Sequence, residues 1–319
     1  MVKYALKRFV TMIVMLFIVA TATFFMLAAV PGDALTERTA RLPEDVAARV
    51  YARYGLDKPA PERYVITMKG LIVGDFGESI VFPGQTVQSV IAEKGPISLR
   101  LGFQQVILGV GIGLILGVIA TVRKNTWVDY GIIAFSILMV SVPTLVFGLL
   151  LQQVFAGTLG LFPVIGWPSG DELMFGGWEY TVLPTLAGSF GYMAMYARLL
   201  KASMSDVLGQ DYILAAEARG LSKGQIVRRH MIRNAAIPIV TKLPMTIAMC
   251  LTGSFYIETI FAIPGLGRYY IQAISGRDVT MVMGFTVFIA AMYMVVIFLT
   301  DILYHVVDPR IQLAGKTSR

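Results

Sequence analysis

Cysteine, histidine and charge are all scarce in this chain of 319 residues, and each scarcity closes off a class of chemistry. The single cysteine, Cys250, stands inside an apolar run, so no intrachain disulfide and no cysteine-rich metal site can form. It reads as a small packing residue. The two histidines, His230 and His305, lie far apart and neither belongs to an H-E-x-x-H pair. No Gly-x-Ser-x-Gly nucleophile signature occurs. The Gly-Lys-Thr run at Gly315 to Thr317 has Arg310 where a phosphate-binding loop needs its first glycine, so it cannot cradle a nucleotide. The expectation is a chain without catalysis, metal or its own energy source.

What is abundant is apolar surface. Hydrophobic residues make up 56% of the chain and charged ones 15%, a balance that places it in a bilayer. A net charge of +7 then marks cytoplasmic faces of a multi-pass protein rather than a nucleic-acid partner. Spans need about 20 predominantly apolar residues. Six segments qualify: Phe9 to Val30, Leu99 to Val122, Tyr130 to Phe155, Thr181 to Leu200, Ile237 to Phe261 and Met281 to His305. The first is about twice as long as a signal-peptide core and reads as an anchor. Short loops on one side hold Lys3, Lys7, Arg8, Arg123, Lys124, Arg198, Lys201, Arg219, Lys223, Arg228, Arg229 and Arg233, whereas the loop between spans three and four holds Asp171, Glu172 and Glu179. The basic side is cytoplasmic, and an even number of spans puts both termini there.

The organisation expected is therefore an N-terminus and first span over 1–30, an external loop over 31–98, a five-helix core over 99–305 and a cytoplasmic tail over 306–319. The external loop escapes the charge rule by its length, and it reads as folded. Pro43, Glu44 and Asp45 open one helix that Gly55 can end, and a second runs from Pro61 to Val73. A spacer and a docking cap for an external partner explain it equally well. In span two, Gly109, Gly113 and Gly117 align small residues on one face and predict a tight helix crossing. Pro143 and Pro244 are expected to kink their helices, and Arg100, Lys242 and Asp301 to snorkel from span ends.

The longest cytoplasmic insertion covers 201–236. Asp211 to Arg219 reads as a helix, Gly220 can supply a left-handed residue after it, and Ser222 caps a second helix in which Ile226, Val227, Met231 and Ile232 oppose Arg228, Arg229 and Arg233. By physics alone this corner is either a coupling element or an amphipathic loop on anionic headgroups.

The stretch DYILAAEARGLSKGQIVRRHMIRNAAIP, Asp211 to Pro238, resembles the EAA loop of binding-protein-dependent ABC importer permeases. The resemblance extends through PGD at Pro31, YGLDKP at Tyr54, GDFGES at Gly74, FPVIGW at Phe162, ETIFAIPGLGR at Glu258 and DPRIQL at Asp308. In that order and spacing these fragments are similar to the B-type permease subunit of oligopeptide and dipeptide importers. Leu214 stands where the general pattern has a glutamate, and Gly220 is retained; such departures point to that subtype.

The resemblance implies an all-α integral membrane protein with the six-helix type I permease fold and a folded loop after helix 1. It implies ATPase coupling through Ala215, Ala216, Glu217, Ala218, Arg219, Gly220, Leu221 and Lys223. Implied partners are a homologous second permease, two cytoplasmic ATP-binding subunits that carry ATP and Mg, and an extracytoplasmic solute-binding protein, in a prokaryotic plasma membrane. Polar groups inside spans are expected to line the path because exposing them to lipid is costly. These are Ser136, Ser141, Thr144, Gln152 and Gln153, then Tyr192 and Tyr196, then Thr246, Thr252, Ser254 and Glu258; helix-to-helix bonding is the competing role. Arg268, Arg277 and Asp278 are expected on a docking surface for the binding protein. The alternatives are a permease for nickel or another small solute, an independent secondary transporter, and a membrane-embedded enzyme.

Overall fold

A computed structural model describes residues 2–32, 35–40, 42–172, 175–251 and 254–307. Asp33, Thr252 and the DPRIQL motif lie outside the described residues, as do the side chains of Lys223 and Asp301. The described chain is helical, apart from an isolated bridge between Glu78 and Thr86. Its helices are α1 (Val2–Ala29), α2 (Thr36–Thr39), α3 (Glu44–Arg53), α4 (Ala60–Ile72), α5 (Val87–Val122), α6 (Trp127–Ser141) and α7 (Thr144–Leu151). There follow α8 (Trp178–Leu208), α9 (Asp211–Ala218), α10 (Lys223–Ile226), α11 (Ile232–Leu251), α12 (Phe255–Ile260), α13 (Leu266–Ser275) and α14 (Val279–Val307). Two segments are π-helical, Gln152–Thr158 and Val227–Met231.

The chain divides into two compact units, Met1–Pro96 with Gly265–Arg319, and Ile97–Pro264. In the first, α1 packs along α14 through Ala20, Phe24, Met283 and Val287. The segment that follows α1 is folded onto this pair. The Tyr64 hydroxyl on α4 lies 2.9 Å from Thr21 Oγ1, and the Phe24 and Phe25 rings pack on the Tyr64 ring. Pro43 sits one position before α3, Glu44 and Asp45 fill its first turn, and Gly55 follows its end at φ +66°. That is the acid-first, glycine-last pattern the helix dipole and a left-handed exit favour.

The second unit is organised around α8. Small residues let α5 approach it. A Cβ added at Gly109, Gly113 or Gly117 would stand 2.8, 2.7 and 2.9 Å from the carbonyl oxygens of Ser189, Met193 and Ala197. The tight crossing expected of this stripe is therefore made within the chain, against α8. Helices α6, α7, α11 and α12 cover α8 further, so Thr181, Thr185, Ser189 and Tyr196 are buried in protein.

That enclosure explains a departure from the six expected spans. Among the described residues four helical stretches are long and apolar enough to cross a membrane: Ala5–Ala29, Val87–Val122, Gly224–Ile260 and Val279–Thr300. Helix α8 holds the expected fourth span and is long enough at 31 residues, about 46 Å. A helix sheathed by other helices does not need the apolar surface that lipid demands. The third expected span is not one helix. It breaks between α6 and α7, which meet at 99°. Pro143 cannot donate to the preceding turn and forces Val142 into an extended conformation, φ −90° and ψ 127°. The expected kink is a corner. Pro244, in contrast, lies inside a continuous α11. The second span also starts earlier than expected, at Val87, with Pro96 accommodated within α5.

Candidate functional site

Two features of the second unit are candidate sites, a groove and the helical corner around Gly220. The groove has a volume of about 460 Å³ and lies between α5, α7, α8, α11 and the start of α12. Of the polar residues expected along the path, Thr144, Tyr192, Thr246 and Ser254 line it. Gly191 leaves it open, with nothing within 4 Å of an added Cβ, whereas Gly102 and Gly188 let Cys250 on α11 and the Gln105 side chain approach closely. Met195, Met245 and Met249 give it soft, adaptable walls. Lys242, expected to snorkel from a span end, instead lines this groove from an exposed position midway along α11. Sequence reading missed it because a charge near a span end does not say which helices pack around it.

The other path candidates do different work. Tyr196 is fully buried and its hydroxyl lies 2.7 Å from Thr246 Oγ1, which links α8 to the groove wall. Glu258 is also fully buried. Its Oε1 accepts from Ser98 Oγ at 2.8 Å and from the Ser254 amide at 3.1 Å, tying the start of α12 to α5. Gln152 donates to the carbonyls of Val164 and Ile260 at 2.8 and 3.1 Å. Ser136 is fully buried away from the groove lining, whereas Ser141 is exposed at the α6–α7 corner. Arg100 corrects a further expectation. It is 8% exposed, donates to the carbonyls of Glu172 and Gly176 at 3.0 and 2.5 Å, and stacks 5.1 Å from the Trp167 ring centre. A cation expected at the interface thus clamps the FPVIGW loop to α5.

The corner around Gly220 is built as its residues dictate. Helix α9 ends with Gly220 at φ +76°, whose amide donates to Glu217 O at 2.9 Å while the Leu221 amide reaches Ala216 O at 3.3 Å. Ser222 and Gln225 cap the next helix reciprocally, at 2.9 and 3.4 Å. Ile213 and Ala216 are buried in a core with Met204, Ile226 and Met231, which fixes the face α9 presents. Ala215, Glu217, Ala218, Arg219 and Gly220 are exposed, Ala216 is turned inward and Leu221 is half-buried. Nearby, Lys201 on α8 meets Asp129 on α6 at 2.5 Å; the Asp129 side chain is 3% exposed, and its second oxygen accepts the Asn125 amide at 3.1 Å.

Residues 109–313 match the family described as binding-protein-dependent transport system inner membrane component, and residues 1–83 match its N-terminal companion. The chain belongs to this family. It is therefore a multi-pass membrane permease subunit and not an enzyme; such a system joins permease and ATPase subunits to a binding protein. The permease is 40% identical over 316 residues to a dipeptide transport system permease protein of Bacillus subtilis, covering 99% of this chain and all of that one. It is 35% identical to an oligopeptide transport system permease protein of Salmonella typhimurium, covering 98% of this chain and all of the relative. Among solved structures it is similar to an inward-facing methionine ABC transporter, with a TM-score of 0.53 and 18% identity over 69% of this chain and 97% of the other. That likeness shows the importer-permease fold. Membership replaces the secondary-transporter and membrane-enzyme alternatives.

In the first unit the expected docking residues separate. Arg277 is exposed and Arg268 is half-buried, but Asp278 is fully buried and has no surface to offer a partner. Its carboxylate accepts from Ser79 Oγ at 2.5 Å, from the Val81 amide at 3.0 Å and from the Met281 amide at 3.1 Å. It caps α14 and pins the GDFGES segment there.

Proposed function

We propose that this permease carries dipeptides or short oligopeptides into the cytoplasm of a prokaryote, in a plasma membrane that it crosses six times with both termini inside. The observation that carries this reading is full-length similarity to peptide permeases, 40% identical over 99% of the chain. The groove suits such cargo, since methionine walls adapt to varied side chains and Lys242 offers one cation for a carboxylate. Deletion of the gene should abolish uptake of a radiolabelled dipeptide and leave nickel uptake intact; the reverse pattern would replace peptide by metal.

The partners in this reading are a second, non-identical permease, two cytoplasmic subunits carrying ATP and Mg, and an external binding protein. The exposed face of α9 through Gly220 seats in the ATPase, and closure of the ATPase pair moves it. Gly220→Pro should uncouple ATP hydrolysis from uptake while the chain still inserts, because proline cannot adopt φ +76° and lacks the amide that Glu217 accepts. Full uptake with normally stimulated ATPase activity in that variant refutes the assignment.

For the outer surface, Arg268 and Arg277 remain as docking candidates. Arg268→Glu or Arg277→Glu should slow association of the binding protein, with the larger effect at low ionic strength. Association rates measured on the reconstituted transporter that match wild type for both variants remove them from the surface.

A further inference from the structure

A second cavity, of about 270 Å³, lies wholly within the first unit, between α1, α4, the Arg53 to Leu56 corner, the GDFGES segment and the start of α14. Its size is near the lower end for small-ligand sites. Phe24, Leu71 and Met283 form an apolar floor. The rim is charged and mostly engaged. Arg53 pairs with Glu78 at 3.0 Å, and Glu78 also accepts the Gly84 amide at 2.8 Å. That amide lowers the Glu78 pKa most; desolvation opposes it and Arg53 adds to it, so Glu78 stays ionised.

One cation departs from this pattern. Arg63, half-buried on α4, lines the cavity and has no hydrogen-bond or ion-pair partner among the described residues, whereas Arg53 on the same rim holds Glu78. Asp75 lines the cavity too. One of its oxygens accepts the Gly77 amide at 2.9 Å, and the other makes no bond among the described residues. An unpaired cation, an exposed carboxylate and an apolar floor lining one cavity together match a molecule with a carboxylate, an ammonium and an apolar side chain.

We propose that this cavity binds a zwitterionic dipeptide on the extracytoplasmic side, with its carboxylate on Arg63, its ammonium at Asp75 and an apolar side chain on the floor. The choice of peptide over other zwitterions rests on the peptide-import reading above. The site is separate from the groove, since every residue that lines it belongs to the first unit.

The test is photolabelling of the assembled transporter in phosphatidylcholine nanodiscs with alanyl-photoleucine, mapped by mass spectrometry. Labels are expected on α1, α4 and α14 and should be competed by unlabelled Ala-Leu. Arg63→Gln, or the C-terminal amide of the probe, should lower them about tenfold or more, the worth of one charge-assisted bond. Thr67→Phe, which fills the cavity without touching a charge, should lower them as well. Labels undiminished by Arg63→Gln and by amidation overturn the site, as do labels confined to the groove. If phosphatidylethanolamine nanodiscs displace the probe while excess Ala-Leu does not, the cavity is a lipid site and the proposal falls. Dipeptide uptake that persists without labelling at the cavity sinks this inference alone; loss of gene-dependent dipeptide uptake sinks the peptide reading beneath it.

Discussion

Lys201→Met is expected to destabilise the permease by about 3–5 kcal/mol, the cost of leaving one partner of a buried ion pair uncompensated. The reason is the unequal exposure of the two side chains, 3% for Asp129 and 21% for Lys201. With the ammonium gone, Asp129 keeps one amide donor from Asn125 and only the weaker field of Lys124. Asp129→Asn alone should cost less, because the long lysine can carry its charge toward water. The double variant, Asp129→Asn with Lys201→Met, should recover most of the loss, since an asparagine oxygen still accepts from Asn125 and no charge remains. Thermal unfolding of the four proteins in one detergent gives the coupling energy. A double variant no more stable than Lys201→Met would show that the lysine stem, and not the charge pair, holds α6 to α8.

The pair was invisible to sequence reading for a physical reason. Lys201 is a cytoplasmic cation by the charge rule, and that rule places it on a side of the membrane without saying what it meets. Asp129 lies 72 residues away. What could be read were features whose cause is local: the acid-first opening of α3, the left-handed glycine after α9, the capping of the helix that follows it and the small-residue stripe on α5. What could not be read were consequences of long-range packing. Arg100 and Lys242 looked alike as cations near span ends, yet one became a buried clamp for loop carbonyls and the other a groove wall. Pro143 signalled a disturbance, but its 99° corner depends on α7 packing back against α8 and α12. Asp278 looked like a surface residue because it lies between two helices; its burial follows from a partner 199 residues earlier, Ser79.

Gly113→Leu is the substitution expected to disturb both the fold and the groove. Even a Cβ at this position would stand 2.7 Å from Met193 O and 3.0 Å from Tyr196 Cβ. The nearest obstacle is backbone, so no rotamer change relieves it and α5 must move off α8. Overpacking of this kind costs about 1–3 kcal/mol, and a leucine against backbone belongs at the upper end. Gly111 supplies the control. Nothing lies within 4 Å of a Cβ there, so Gly111→Ala should be neutral or stabilising by up to about 1 kcal/mol, because alanine restricts the unfolded chain more than glycine does. The consequence for transport follows from Tyr196, which meets the inserted side chain and whose hydroxyl reaches Thr246 on the groove wall. A displaced α8 breaks that bond and reshapes the groove. Gly113→Leu should therefore lose dipeptide uptake by more than its loss of folded protein explains. Uptake per folded molecule equal to wild type would separate the α5–α8 crossing from the groove and confine the glycine stripe to folding.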